Sequence, residues 1–443
     1  MEARSVAHCE YRIAVCCGLL LWSLTTSAQD LSENVTAISG DASVFSAVTH
    51  TRTDQNSGTD TNTEGSLGVS GSLGGNLQSG ANSLDLYYRG TYETERDQSD
   101  SSTVSGSSRF VHFEPGSRFD FNLGHSVSSV RNDTGFVINP SSYDTRNTLS
   151  AGAGLRFYPG ELSTLRFSGR AGRSFGAGEL DDSDSFTGST EFSRRLSERS
   201  TGKLVASRTW SEDGQVDTTV DSAQLIYNRM LENGSFGIGG GVSESETEYP
   251  DGSISESDAV TGFVDRTWAT RHRETSVQYN RRLFDSATEL SVNLPEIFDF
   301  PEQTIRLKDT VISDSVRVLH SSSELCSGCS LDLMAEAAVL ESQLTDSRSH
   351  EYRASIDFGF QLTSLQRLSF GYNWQGDAGE DSGTIIEQIH RFNTRWSRQL
   401  SEDTSVSVEF NQAYLRRQSG ENDQDQFALR LRLTRGFSLM GER

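Results

Sequence analysis

Tyr352-Arg-Ala-Ser-Ile-Asp-Phe-Gly-Phe-Gln-Leu362 alternates apolar and polar residues without a break. The same alternation returns in Leu368-Ser-Phe-Gly-Tyr-Asn-Trp374 and in Phe427-Ala-Leu-Arg-Leu-Arg-Leu433. Because successive side chains on a strand point to opposite faces, each run predicts a strand with one apolar and one polar face. The class of fold depends on whether the apolar faces meet a packed core or lipid.

The N-terminal residues favour export from the cytoplasm. Arg4 and Arg12 bracket a charged region, residues 13–22 form a short apolar run, and Thr26-Ser-Ala28 offers a small-residue cleavage site. This order is typical of a secretory signal peptide, and the apolar run is too short to span a bilayer as an anchor. We therefore expect residues 1–28 to be removed, with residues 29–42 as a short periplasmic segment.

The composition favours a wet interior over a packed one. Hydrophobic residues make up 34% of the chain, below the roughly 45–50% usual in globular proteins. A transmembrane barrel needs only one apolar side of each strand, so it tolerates this content. No later stretch approaches the roughly 18 consecutive apolar residues that a transmembrane helix needs. The net charge of −23 makes nucleic acid an unexpected partner.

Short polar turns recur between the predicted strands. Phe192-Ser-Arg-Arg-Leu-Ser-Glu-Arg-Ser-Thr201 resembles Trp396-Ser-Arg-Gln-Leu-Ser-Glu-Asp-Thr-Ser405, and longer acidic connections such as 178–185, 211–219, 377–383 and 419–425 alternate with such turns. Short turns on one side and long loops on the other are typical of outer-membrane barrels. We predict an all-β, antiparallel, up-and-down transmembrane β-barrel over residues 43–437, with about 20 strands (16 to 22) and a tail at 438–443.

The last predicted strand carries a candidate assembly signal. Leu429, Leu431, Leu433 and Phe437 give alternating apolar residues and a closing aromatic, followed by Ser438–Arg443. This patterning resembles the final strand of many outer-membrane proteins. It implies the barrel-assembly machinery as a partner.

The pair Cys326-Ser-Gly-Cys329 is the only cysteine pair outside the predicted signal peptide. In an oxidising compartment, two such cysteines most simply form a local disulfide. A redox or partner-docking role and a metal site are the alternatives. Ser330 stands where c-type haem attachment needs histidine, and we expect no cofactor. We place the pair in a periplasmic turn.

Charged residues on the polar faces of the later strands are candidates to line the lumen. They could form cross-strand ion pairs that stiffen the wall, or they could set the charge preference of a pore. The candidates are Arg353, Asp357, Arg367, Arg391, Arg395, Glu409, Arg430 and Arg432.

Other chemistry is less strongly indicated. The acidic connections lack the spacing of a calcium loop and favour solvated loops, with cation bridging to lipopolysaccharide as the alternative. The GxSxG, HExxH, P-loop and dinucleotide-binding signatures are missing from the sequence. We therefore expect no enzymatic activity, no catalytic residue and no metal site, with an outer-membrane hydrolase kept as a second alternative.

The recurring turn motif, the strand Leu84-Asp-Leu-Tyr-Tyr-Arg89 and the chain length together resemble a known family. The chain resembles the outer-membrane β-barrels associated with PEP-CTERM/exosortase systems of Gram-negative bacteria. The resemblance implies an outer-membrane conduit or structural partner in export of exopolysaccharide or surface proteins. It also implies contact with lipid, lipopolysaccharide and periplasmic polysaccharide-export components. A general diffusion porin is the first alternative.

Overall fold

The computed structural model describes residues 35–55, 58–95, 101–114, 116–131, 143–176, 182–214, 216–285, 310–343, 347–379, 384–419 and 423–440. Within them the chain forms 20 β-strands. Their bounds are β1 Val35–Gln55, β2 Gly58–Ser79, β3 Asn82–Glu95, β4 Ser101–Phe113, β5 Phe119–Arg131, β6 Tyr143–Gly160, β7 Ser163–Gly176, β8 Ser183–Ser197, β9 Ser200–Asp213, β10 Val216–Leu231, β11 Gly234–Glu248, β12 Ile254–Ala269, β13 Arg273–Asp285, β14 Thr310–Ser322, β15 Cys329–Ser342, β16 Arg348–Thr363, β17 Gln366–Gly379, β18 Ile385–Gln399, β19 Thr404–Arg417 and β20 Asp423–Met440.

The strands form one closed antiparallel sheet in which each strand pairs with its neighbours along the chain. Closure is made by β1 and β20, whose pairing runs from Asp54 opposite Asp423 to Ile38 opposite Met440. At this seam a Cβ on Gly40 would overlap the Phe437 ring, so only glycine leaves room for that aromatic. The predicted up-and-down barrel of 20 strands is confirmed.

The two ends of the barrel differ in the length of their connections. At one end, turns such as Gly80-Ala81 between β2 and β3 are tight, and Gly80 adopts a positive φ of 55° that favours glycine. At the other end, residues 132–142 join β5 to β6, and residues 286–309 join β13 to β14. We call these the short-turn end and the long-connection end. The predicted alternation of short and long connections is present.

Most strands are longer than the sequence pattern predicted. The barrel was predicted over 43–437, but β1 begins at Val35 and β20 ends at Met440. The segment 211–219, taken as a long acidic connection, is a hairpin that turns near Gly214. The hydrophobic alternation stops where the strands leave the apolar band, although the backbone ladder continues there with polar residues on both faces. The pattern therefore marks only the apolar part of each strand.

Apolar side chains cover the outside of the barrel. Leu225 is 66% exposed and Val260 is 69% exposed. The outward side chains of β16, Ile356 among them, and of β20, Leu429, Leu431 and Leu433, continue the same band. The inward side of the same strands carries serine, threonine, arginine and carboxylate side chains. An apolar outside with a polar inside is the reverse of a water-soluble protein and is typical of a barrel whose outside meets lipid.

Among the described residues, no helix is long and apolar enough to cross a membrane. The predicted signal peptide (1–28) and residues 29–34 of the predicted periplasmic segment lie outside the described residues. Residues 286–309, which precede β14, also lie outside them.

Candidate functional site

The inner wall of the barrel is the candidate site, and strand register fixes which side chains share it. Paired residues of an antiparallel sheet lie on the same face. From β15 to β18 one inward row runs through Asp332, Asp357, Gly371 and Asn393. Two regions of this wall differ in chemistry: a charged arc on β14–β20 and β1–β3, and a hydroxyl arc on β8–β12.

One part of the charged arc is a chain of ion pairs across β14, β15 and β16. Arg317 donates from Nη2 to Glu336 Oε2 at 2.8 Å. Arg353 lies directly opposite Glu336 on β16 and donates from Nη2 to Glu351 Oε2 at 3.0 Å. Charge-assisted hydrogen bonds between neighbouring strands fix the side chains in place and stiffen the wall.

A second part of the charged arc lies beside the closing seam. Arg395 donates from Nε to Glu409 Oε1 at 2.6 Å, and Glu409 also faces Arg430 across β19 and β20. The Arg430 guanidinium lies 4.8 Å from the centre of the Phe45 ring and 4.0 Å from Glu93. The ring is a cation–π partner for this arginine. The first three strands and the last three thus meet in one group of side chains.

Phe45 is central to this group. The Arg432 guanidinium lies 5.6 Å from the Phe45 ring, on the same side of the wall as Arg430. A Cβ on Gly68, opposite Phe45 on β2, would overlap the ring. The glycine therefore lets an aromatic side chain lie flat against the inner wall beneath two arginines.

The structure places all eight predicted lumenal residues on the inward face. They are Arg353, Asp357, Arg367, Arg391, Arg395, Glu409, Arg430 and Arg432. It does not bring them into one cluster. Arg367 lies near the short-turn end and donates to Ser330 Oγ at 3.3 Å, whereas Asp357 is buried opposite Asp332.

The hydroxyl arc consists of three inward rows of small, uncharged side chains on β8–β12. Hydroxyls hydrogen-bond within it, from Ser207 to Ser222 at 2.7 Å, and at its edge, from Ser168 of β7 to Ser189 at 2.7 Å. The inward rows of this arc are Ser189, Ser207, Ser222, Ser243 and Ala259, then Thr187, Thr209, Val220, Ser245 and Ser257, then Ser185, Ser211, Thr218, Thr247 and Ser255.

The first of these rows runs through the middle of a concave region of about 550 Å³, whose lining also includes outward residues beside the row, such as Arg208, Asp221 and Val260. On the inner face, each position of the row carries a hydroxyl or methyl group in place of a long side chain. Such a surface offers hydrogen bonds without charge. The charged arc offers charge but less space.

Several lumenal residues were missed by sequence reasoning. Asp120 on β5 receives Arg166 Nη2 at 2.9 Å and Arg156 Nη2 at 3.0 Å. Glu93 and Phe45 were missed as well. The signal for Asp120 was its place between Phe119 and Phe121, the same alternation that identified the later strands. No local signal marks Phe45, because the arginines above it are almost the full chain length away.

The cysteine pair lies at the short-turn end, between β14 and β15. The sulfur atoms of Cys326 and Cys329 are joined, with Cα atoms 5.2 Å apart. The Cys329 amide also donates to the Cys326 carbonyl at 3.1 Å, and Gly328 has a φ of 81°. The two cysteines thus close a single tight turn at the foot of the charged arc.

Acidic side chains are not gathered into a metal centre in the described ranges, where no group of three or more His, Cys, Asp or Glu could hold an ion. The acidic segments 181–184 and 421–425 lie partly outside those ranges.

Comparison with known proteins bears on the fold. No family model matches the chain, and no curated protein matches it significantly. The chain is similar in structure to the ferric-catecholate import receptor Fiu of E. coli K12 in its closed form, with a TM-score of 0.51 and 10% identity over 91% of this chain and 82% of that one. The FrpB iron transporter of Neisseria meningitidis (F5-1 variant) has a TM-score of 0.49 and 9% identity, over 93% of this chain and 84% of that one. OccK2 of Pseudomonas aeruginosa has a TM-score of 0.37 and 11% identity, over 91% of this chain and 98% of that one. The chain has the fold of an outer-membrane β-barrel.

Proposed function

We propose that the protein spans a bacterial outer membrane and serves as a conduit for polar extracellular polymer, exopolysaccharide or surface protein, through its lumen. The observation that carries the proposal is the sorting of the two faces. Apolar side chains cover the outside, while polar side chains line the inside around the whole circuit. In this orientation the short-turn end faces the periplasm and the long-connection end faces outward.

The two arcs suit a cargo that carries both hydroxyl groups and charge. The arginines of the charged arc can pair with carboxylates or sulfates in passing, and the carboxylates that hold them keep the arc from binding any one anion too tightly. The hydroxyl arc exchanges hydrogen bonds with sugar hydroxyls at little cost. An acidic polysaccharide meets both conditions, in keeping with the family resemblance to polymer-export barrels.

The resemblance to PEP-CTERM/exosortase-associated barrels forms part of this proposal. So do contacts with lipopolysaccharide and with periplasmic export components. The proposal assigns no catalytic step to the chain. A general diffusion porin would use the same polar lumen, and it differs from the proposed conduit in its cargo.

Conductance of the refolded protein in planar bilayers tests the conduit. We expect ion current through single barrels, reduced by an acidic oligosaccharide such as oligogalacturonate and less reduced by a neutral maltooligosaccharide of equal length. Arg395→Gln with Arg430→Gln should weaken the acidic block, while Arg208→Gln, an outward arginine of β9, serves as the matched control. Barrels that carry no current from either side would contradict the conduit. Equal block by both sugars would favour the general porin.

A further inference from the structure

The barrel wall splits between β12 and β13 toward the long-connection end. Their ladder runs from Ala269 opposite Glu274 to Gly262 opposite Arg281, and in the described chain it goes no further. Beyond this point, β13 stays paired with β14 as far as Asp285 opposite Thr310. The ends of β13 and β14 therefore separate from β12 together, while Val311, Ile312 and Ser313 stay paired with Ser342, Glu341 and Leu340 of β15. We call residues 282–285 and 310–313 the flap.

The flap turns inward and lies against the hydroxyl arc. Thr310 Oγ1 is 3.3 Å from Thr247 Oγ1, and Thr247 Oγ1 is 3.4 Å from Thr218 Oγ1. Thr247 and Thr218 belong to the inward rows of β11 and β10. A residue at the start of β14 can reach them only from inside the barrel, because the outward face of β10 and β11 is on the other side of the sheet.

Apolar packing supports the same placement. Leu283 and Ile312 of the flap form one buried cluster with Ala259, an inward residue of β12. Register along β13 and β14 places Leu283 and Ile312 on the face that points outward lower in the wall, with Val277 and Val318. That outward face of the hairpin is therefore turned onto the inner face of β12. The strand ends overlap as a second layer.

The end of β15 and the edge of the split fix the flap at two further points. Gln343 donates its backbone amide to the Thr310 carbonyl at 2.9 Å, and its Oε1 accepts from Ser257 Oγ at 2.8 Å. At the split, Arg281 Nε donates to the Val260 carbonyl at 3.0 Å. The arginine thus occupies part of the β12 edge that β13 has left.

The contact between the flap and the hydroxyl arc is small. Its apolar part is three small or medium side chains, and Ser245, which is 1% exposed, has no hydrogen-bond partner for its Oγ. A buried hydroxyl without a hydrogen-bond partner opposes docking. The small, uncharged residues of the hydroxyl arc explain why the flap docks here, since a charged wall would need a partner for each buried charge.

We propose that the flap is a lumenal element that docks reversibly on the hydroxyl arc and sets the width of the passage at the long-connection end. This inference rests on the proposed conduit for its role in passage, but its position can be tested separately. When docked, the flap covers inward residues of β10, β11 and β12, among them Thr218, Thr247 and Ala259. When released, it changes the free cross-section in front of these strands.

Cross-linking tests the position of the flap. In a Cys326→Ser/Cys329→Ser background, Thr247→Cys with Thr310→Cys should form a disulfide on mild oxidation, seen as a shift on non-reducing gels of folded protein. The control pair is Ser189→Cys with Thr310→Cys, since β8 is three strands from β11, or about 14 Å away. No bond in the first pair, or equal bonding in both, would overturn the docked flap.

Release of the flap tests its role. Ala259→Cys should resist a water-soluble maleimide in the parent and react in Leu283→Ser/Ile312→Ser, whereas Ser207→Cys should react equally in both. The same double variant should show a changed single-channel current relative to the parent. The disulfide of the Thr247→Cys/Thr310→Cys variant should suppress current fluctuations until it is reduced. If Ala259→Cys becomes reactive in the double variant but the current is unchanged, the flap has no role in passage. A cross-linked but silent barrel would leave the flap in place and contradict the conduit.

Discussion

The charged arc and the hydroxyl arc are built on the same strand ladder, yet they solve the problem of a wet interior in different ways. In the charged arc, long side chains such as Arg395 and Glu409 pair across strands and fill the space in front of the wall. In the hydroxyl arc, short side chains such as Ser207 and Ser222 bond to each other and leave the space open. The difference shows that the polarity of an inner wall and its free volume are set separately, by charge and by side-chain length.

The comparison also explains where the second layer forms. The flap contacts the hydroxyl arc through Leu283, Ile312 and Thr310. An apolar cluster can settle on serine, threonine and alanine without burying an unpaired charge. Docked on the charged arc, the same side chains would desolvate Glu336, Arg353 or Glu409, at a cost that three apolar contacts could not offset.

The largest expected effect comes from placing one charge in each arc. Ser243 and Ser355 are inward serines of similar burial, at 7% and 5% exposure. Ser243→Arg would put a guanidinium among serine, glycine and alanine, and should destabilise the barrel by roughly 3 kcal/mol. Ser355→Arg lies beside Asp357 and near Asp332 and should cost about 1 kcal/mol, since a partner is present. Urea unfolding in lipid vesicles, followed by tryptophan emission, measures both.

Equal losses of unfolding free energy for Ser243→Arg and Ser355→Arg would contradict a difference in charge pairing between the two arcs.

Loss of the turn disulfide should have a smaller effect. Cys326→Ser with Cys329→Ser opens a loop of four residues at the foot of the charged arc, which limits the loss to about 2 kcal/mol. Ser327→Ala in the same turn is the control and should leave the unfolding free energy unchanged. Folded, unreduced parent protein should also resist maleimide at this turn. Ready labelling of both cysteines would show that they are free thiols.

Removal of one ion-pair partner ranks next. Glu409→Ala would leave Arg395 and Arg430 without the carboxylate between them, and should destabilise the barrel by about 1–2 kcal/mol, because the arginines stay partly solvated. High salt should reduce the difference between variant and parent. If the difference in unfolding free energy did not depend on salt, the effect would come from packing and not from charge.

The smallest effect is expected in the hydroxyl arc. Ser222→Ala removes one of many weak hydrogen bonds and should cost about 0.5–1 kcal/mol, with no dependence on salt. Thr190→Ala, on the outward face of β8, is a suitable control for the loss of a hydroxyl elsewhere. A loss for Ser222→Ala as large as that for Glu409→Ala would mean that the serine rows act as a cooperative network.

Much of the fold was accessible from the sequence because the pleat is a local property. Alternation at Tyr352–Leu362 assigns Asp357 to the polar face whatever the neighbouring strand is. The number of strands followed from the same signal and the turns. The outer limits of the strands did not, since β1 and β2 continue past their apolar residues with threonine, aspartate and glycine.

Contacts within the lumen were accessible only in part. Which charges face inward could be predicted, but Phe45 meets Arg430 and Arg432 only because the sheet closes between β1 and β20. The hydroxyl arc is rich in serine and threonine, which in sequence look like ordinary loop residues. The flap depends on where the β12–β13 ladder stops, and no residue pattern marks that point.

Cysteine reactivity in lipid vesicles tests whether the barrel has a water-filled lumen and a lipid-facing outside. Single cysteines along β9 and β19, in the Cys326→Ser/Cys329→Ser background, would sample both arcs with one membrane-impermeant maleimide. We expect strong labelling at inward Ser207 and Asn411, and little at outward Ala206 and Phe410. Labelling without a period of two along either strand would contradict it.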